Sequence, residues 1–455
     1  MAHELSELAG RFPAGFRWSA ATAAFQVEGA RSEGGKGRSI WDEFVETPGK
    51  VLDGSTAEPG PDSYHRIADD VALLRALGVD RYRFSISWVR VQPDGTGAAN
   101  VEGLDYYSRL VDALLEAGIT PFPTLYHWDL PIGLQRAGGW LTRETAERFG
   151  EYAGIVAASL GDRVTHWYTL NEPVSTTLEG YAVGELAPGE VLLFDALPTV
   201  HHQLLAHARA VPVLRAHGAE QVGIVNNHTH VRPLHDTPED HCAVAAYDMI
   251  HNRVFADPLL TGAYPDLEAL GLPPMPVHEG DLEAIAVPCD FYGINFYNPT
   301  TITAPPEDSP IPFDLVPTPG AEHTGFGQMW PIVPGALTDL LVDFRDRYDA
   351  LPPIVIGENG ASFPDEVEVS EYGHRHVFDV DRAHYIHLHI RAVADAIDAG
   401  VDISEYTVWS LLDNFEWASG FTQRFGLVHV DFDSGVRTPK YSFGLYRDLI
   451  AQAHA

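Results

Sequence analysis

Lysine is almost missing from this chain. Lys36, Lys50 and Lys440 are the only three in 455 residues, and 29 basic side chains stand against 64 acidic ones, a formal charge of −35. A protein that neutralises phosphates needs a basic footprint, so nucleic acid is excluded as a partner and an anionic membrane surface is disfavoured. The carboxylate surplus keeps copies apart by self-repulsion; it equally suits a chain adapted to high salt, where screening removes that repulsion. Long apolar runs are missing too. No stretch of about 18 apolar residues occurs, so no membrane span is expected, and residues 1–17 lack the apolar segment of a secretory signal. The two cysteines, Cys242 and Cys289, have neither CxxC nor ligand spacing, so we expect two free buried thiols and a cytoplasmic protein.

Several motifs are absent as well. No Gly-rich phosphate loop and no GxGxxG after the first strand-like run is found, so a nucleotide cofactor is not expected. GxSxG is missing, which removes the usual signature of a Ser-His-Asp esterase. With 22 histidines, metal chemistry is the obvious rival. Yet His201-His202 and His228-His230 do not make HExxH, and His384, His387 and His389 lie in a helical segment, where solvated or satisfied imidazoles are the commoner case. We expect no metal and no cofactor.

Hydrophobic residues make up 45% of the chain, enough for a large core. Eight strand-like runs can be marked, at 16–25, 81–88, 119–128, 165–170, 221–230, 290–297, 354–358 and 406–411. Helical patterns follow them at 64–77, 104–117, 142–160, 200–216, 242–260, 336–348, 382–399 and 441–451, with Gly78, Gly118 and Gly161 as stops and Thr142, Glu144 and Glu147 as a capping pattern. Pro121 and Pro123 sit awkwardly in the third strand. Residues 299–331 and 412–440 read as long excursions, the first without periodicity, and loops of that length are usually functional. Strand and helix alternate eight times without a linker or a repeat. The pattern predicts an α/β fold: a single-domain (β/α)8 TIM barrel over 1–455, with long loops at the C-terminal face of its strands.

In such barrels the chemistry sits at the strand C-termini, so the residues there are the informative ones. They include Gln26, Trp88, His127-Trp128, Asn171-Glu172, Asn226-Asn227-His228, Asn295, Tyr297, Glu358-Asn359 and Trp409, with Trp330 and Glu416-Trp417 on the loops beyond. Two glutamates, each beside an asparagine, predict a carboxylate pair facing one pocket. Amide, imidazole and carboxylate groups mixed with indole faces suit a sugar, whose hydroxyls take polar partners while its C–H faces stack on aromatics.

Seven segments, in order, carry a resemblance over essentially the whole chain. They are Phe25-Gln26-Val27-Glu28-Gly29, residues 82–88 (YRFSISW), residues 125–131 (LYHWDLP), Asn171-Glu172-Pro173, residues 292–297 (YGINFY), Glu358-Asn359-Gly360 and residues 409–417 (WSLLDNFEW). The chain resembles a family 1 glycoside hydrolase, a β-glucosidase. The resemblance implies retention of configuration, with Glu358 as nucleophile, Glu172 as acid/base, and Arg83 and Tyr297 orienting the nucleophile. It also implies a sugar-binding set of Gln26, His127, Trp128, Asn171, Asn295, Trp409, Glu416 and Trp417, with Trp330 as a platform for the leaving group. Small-molecule β-glycosides would be the partners; self-association is left open. Gly357 departs from the threonine usual before the nucleophile, and a freer backbone there would loosen Glu358. The acidic last loop, Glu416-Trp417-Ala418-Ser419-Gly420, argues against a phosphorylated sugar, the presence of Glu172 against a thioglucosidase, and retention of both glutamates against a module that only binds.

Overall fold

In the computed structural model, which describes residues 2–455, eight parallel strands close into a barrel. They are β1 (Arg17–Ala21), β2 (Arg81–Ser85), β3 (Thr120–Tyr126), β4 (His166–Asn171), β5 (Gln221–Asn227), β6 (Phe291–Asn295), β7 (Ile354–Asn359) and β8 (Ile403–Trp409). Each pairs with its sequence neighbours, and β8 closes onto β1. Helices Ile67–Leu77, Val101–Glu116, Arg143–Leu160, Pro198–Ala216, Gly335–Arg347, Val380–Asp398 and Tyr441–Ala453 form the outer ring, with a stacked pair, Pro238–Asp248 and Val254–Thr261, after β5. Apolar helix faces pack onto the outward side chains of the strands, because a parallel sheet must be covered on both faces.

The barrel interior is layered. At the bottom Arg81 Nη1 pairs with the buried Glu405 at 2.6 Å, and Ser19 donates to the same carboxylate. A plug of Phe122, Tyr168, Val225, Phe291 and Val355 fills the middle. Above it Arg83 lies over the Tyr168 ring at 4.7 Å. The C-terminal face thus has a solid floor.

Most predicted elements are present, and several boundaries move. The first run ends as strand at Ala21; Ala24–Val27, with Phe25 and Gln26, is a helical turn, and Trp88 likewise opens the short helix Trp88–Val91. Pro121 and Pro123 do sit in a barrel strand. They pair in register with Tyr82 and Phe84, while the ladder to β4 is registered only from Thr124 onward. Two residues apart, both lack donors on one side, and that side is where the ladder is short. Thr142 precedes its helix but does not cap it through its side chain; its hydroxyl donates to Gly139 O at 3.1 Å instead. The 299–331 excursion holds two strands, Thr300–Thr303 and Asp314–Val316, in a small sheet with Val231–Pro233. Both thiols are free as expected, but Cys242 is exposed and Cys289 half-buried.

The 412–440 excursion is tied down by buried charge. Lys440 Nζ lies 2.7 Å from Asp413 and also contacts Asp365; Arg424 reaches Asp413 at 2.8 Å, and Arg382 contacts Asp365 at 3.0 Å. Removing one member of such a network strands the opposite charge without water. Among the described residues no helix is long and apolar enough to cross a membrane.

Candidate active site

Side chains alternate along a strand, so one face of each barrel strand looks inward. On β4 that rule puts Tyr168 inside the plug and would put Leu170 above it. Instead the pairing with β5 slips between Tyr168 and Asn171, Leu170 joins the outer core, and Asn171 faces the cavity. The pairing of β7 with β6 slips in the same way between Ile356 and Glu358, after the inward Val355. Irregularities of this kind re-aim a side chain next to a site. Two slips, on two strands, deliver the Asn-Glu ends to one place.

They meet in a cavity of about 290 Å³ at the C-terminal face. Its wall includes Glu172, Glu358, Asn171, His127, Trp128, Tyr297, Trp330, Trp409, Glu416 and Trp417, ten of the thirteen residues expected at the site. Gln26, Arg83 and Asn295 do not line it; they brace residues that do. Gln26 Nε2 donates to Phe415 O at 2.9 Å and Asn414 Oδ1 at 3.1 Å, which holds the Glu416 loop, and its Oε1 is buried without a partner. Arg83 Nη1 donates to Glu358 Oε1 at 2.6 Å and Nη2 to Asn171 Oδ1 at 2.6 Å. Asn295 Nδ2 donates to Glu172 Oε1 at 2.7 Å and Asn171 Oδ1 at 3.1 Å.

The two glutamates are 4% and 2% exposed and differ in their partners. Glu358 has the Arg83 guanidinium on Oε1, and Tyr297 donates to Oε2 at 2.5 Å. Burial pushes its carboxyl up, and Arg83, Tyr297 and Asn295 pull against that. Among the described residues no cation pairs with Glu172. Ser175 donates to its Oε2 at 2.8 Å, and burial, then the charge of Glu358, push it up to about 8. Glu416 is likewise pushed up to about 8, by burial and then by Glu358 and Glu172. His127 falls well below the usual imidazole range through burial and Arg83, so it is neutral. Asn171 Nδ2 donates to His127 Nε2 at 3.1 Å, and the His127 ring stacks 5.8 Å from Trp409. Glu172 (φ 46°), Trp128 (φ 77°) and Trp417 (φ 50°) all occupy the left-handed region, at a cost on the order of 1 kcal/mol each.

Gly357 does not loosen the site. A Cβ there would lie 2.7 Å from Asn295 Oδ1 and 2.8 Å from Val225 Cγ2, and Arg83 Nη1 grips its carbonyl at 2.9 Å. The missing side chain is the space the Asn295 amide occupies. Gly357→Ala should therefore displace Asn295 from Glu172 and lower kcat/KM for an aryl glycoside on the order of tenfold, as overpacking costs about 1–3 kcal/mol. Unchanged kinetics would show that the amide has room to move. Gly360 is needed for a different reason: a Cβ there would sit 1.7 Å from Trp409 O.

Sequence reasoning missed Ser175, Glu179, Glu185, Phe326 and Phe425, all on the cavity wall. Ser175 was findable as a hydroxyl three residues past Glu172 at a helix start. Glu179 lies on the helical segment Thr176–Ala182 and the others on irregular loops, with no pattern to mark them. Among the described residues no group of three or more His, Cys, Asp or Glu side chains could hold a metal ion.

The glycosyl hydrolase family 1 model matches residues 8–455. The bifunctional β-D-glucosidase/β-D-fucosidase of Bifidobacterium breve is 44% identical over 465 residues, covering 98% of this chain and 99% of that protein. β-Glucosidase A of Thermotoga maritima is 41% identical, covering 97% and 98%. Among solved structures, the psychrophilic β-glucosidase of Micrococcus antarcticus superposes with a TM-score of 0.92 at 45% identity, covering 98% of each chain. The Thermotoga maritima β-glucosidase in complex with noeuromycin gives 0.90 at 40% identity, covering 97% and 99%.

Proposed function

The chain belongs to glycosyl hydrolase family 1, and on that premise we propose that it is a retaining β-glucosidase, one catalytic unit over 1–455, acting through Glu358 and Glu172. Its substrates are terminal non-reducing β-D-glucosyl residues of aryl and alkyl glucosides and of short oligosaccharides such as cellobiose. The observation that carries this reading is the inequality of two carboxyls on one cavity: a cation backs Glu358, and none backs Glu172. One proton between them therefore rests on Glu172.

In the first step an oxygen of Glu358 forms a bond to the anomeric carbon while the bond to the aglycone oxygen breaks and Glu172 hands that oxygen its proton. In the second, water gives a proton to Glu172 as its oxygen bonds the anomeric carbon and the Glu358 ester breaks. Once Glu358 is an ester its charge is gone, the Glu172 pKa falls toward that of an ordinary carboxyl, and the same residue can act as base. Arg83 and Tyr297 hold the nucleophile, and Asn295 positions the acid. Asn171 serves the sugar 2-hydroxyl, a contact that strengthens as the ring becomes oxocarbenium-like. His127, Trp128, Glu416 and Trp417 serve the other hydroxyls and the ring edge, over Trp409 as floor, while Gln26 holds the loop that carries Glu416. Trp330 meets the aglycone. The name of the Bifidobacterium relative supports a fucosidase side activity.

p-Nitrophenyl β-glucoside should be hydrolysed, with the β anomer of glucose the first seen by proton NMR before mutarotation. First appearance of the α anomer would remove the double displacement, and no turnover would remove the activity. A panel of aryl galactosides and fucosides ranks the glycones.

A further inference from the structure

The cavity holding Glu172 and Glu358 abuts a second one of about 210 Å³, walled by strand Thr300–Thr303 and its neighbours; Glu179, Asn227, Tyr297 and Trp330 line both. Glu179 stands at this junction, on the helical turn Thr176–Ala182 that follows Glu172. Its side chain reaches the cleft, no described residue ion-pairs or hydrogen-bonds with its carboxylate, and burial, then the charge of Glu185, push that carboxyl up to about 7, so it is an anion above that pH. Glu185 lies on the same wall and adds charge of the same sign. Among the described residues no lysine or arginine lines either cavity. The imidazoles that do, His127 and His251, are kept neutral by burial. The wall that carries these carboxylates also carries an aromatic group: Phe326 stacks on Trp330 at 4.4 Å, and Phe425 packs 5.8 Å from Phe326.

An unmatched carboxylate beside indole and phenyl faces is a surface that attracts organic cations and repels anions. We propose that Glu179 sets aglycone specificity by charge, so that β-glycosides with an amine or quaternary ammonium aglycone are processed in preference to those bearing a carboxylate or sulfonate. The proposal rests on the glycosidase reading above and names a determinant on the leaving-group side of that same site. It differs from steering by the overall charge of −35, because one neutral substitution removes it.

The test uses three aryl β-glucosides at about pH 8, where Glu179 is ionised, and at low ionic strength: 4-(trimethylammonio)phenyl, 4-sulfophenyl and the uncharged p-nitrophenyl. Leaving groups differ among them, so the readout is the cation-to-anion ratio of kcat/KM, compared between enzymes. From wild type to Glu179→Gln that ratio should fall roughly tenfold, mostly through KM, and Glu179→Lys should lower it further. In wild type alone, molar sodium chloride should pull the ratio toward the Glu179→Gln value by screening. A ratio constant within twofold across both variants, or indifferent to salt in wild type, would overturn the proposal while p-nitrophenyl β-glucoside is still turned over. Loss of turnover on all three substrates in wild type would overturn the glycosidase reading with it.

Discussion

Glu358→Ala should lose on the order of 10⁴-fold or more in kcat on p-nitrophenyl β-glucoside, because the variant lacks the group proposed to bond the anomeric carbon. The structure gives the loss a specific form. Glu358 is held by two partners, Arg83 on one oxygen and Tyr297 on the other, and removing its carboxylate leaves a cationic slot above the Tyr168 ring. A small anion fits such a slot. Azide should restore turnover of 2,4-dinitrophenyl β-glucoside by attacking the anomeric carbon directly, and the product should be the α-glucosyl azide, a single inversion. A β product, or no rescue at any azide concentration in a folded variant, would take the nucleophile role from Glu358.

Glu172→Ala should show the second largest effect, and its signature is unevenness. Proton donation matters most where the departing oxygen is basic. Loss should be on the order of 10³-fold for methyl β-glucoside or cellobiose and much smaller for formation of the glycosyl-enzyme from 2,4-dinitrophenyl β-glucoside. Equal loss on all substrates would mean that residue 172 only maintains structure. The pH profile supplies an independent readout. As the proposed acid, Glu172 would work only while protonated, so kcat/KM of the wild type should fall as pH rises through about 8, and that limb should vanish in the variant. The same shift bears on stability. A carboxyl whose pKa is raised by folding binds its proton more tightly in the folded state. Stability is therefore full below the ordinary carboxylate range and is lost progressively as pH climbs from there to about 8. Glu172→Gln, which carries no charge to bury, should melt higher than wild type at pH 8–9 and nearly equally at pH 4.

Reading the sequence located all eight barrel strands because a strand covered on both faces leaves a continuous apolar run bounded by turns. Where a run stays apolar past its strand, the boundary was invisible: Phe25 and Trp88 are as hydrophobic in their helical turns as they would be in a strand. The small sheet of Val231–Pro233, Thr300–Thr303 and Asp314–Val316 was hidden because three or four residues cannot display a period. The site was legible to the extent that its residues sit at strand ends. What alternation alone does not predict is that Asn171 and Glu358 face inward, since both depend on a slipped register. Gly357 was misjudged because a freer backbone is a local property, while the Asn295 amide that fills its space comes from another strand. Glu179 and Glu185 follow the acid/base motif closely in sequence, yet nothing in their spacing separates them from the solvated carboxylates elsewhere on this acidic chain.

Four of the nine tryptophans, Trp128, Trp330, Trp409 and Trp417, border the one cavity, and Trp417 lies 4.6 Å from Trp128 and 4.5 Å from the buried Trp41. A glucose-like inhibitor entering there would displace solvent from indole rings coupled closely enough to exchange excitation. The molecule thus carries a built-in optical gauge of occupancy: unlabelled emission spectra titrated with ligand can yield dissociation constants, even for variants too crippled to turn over.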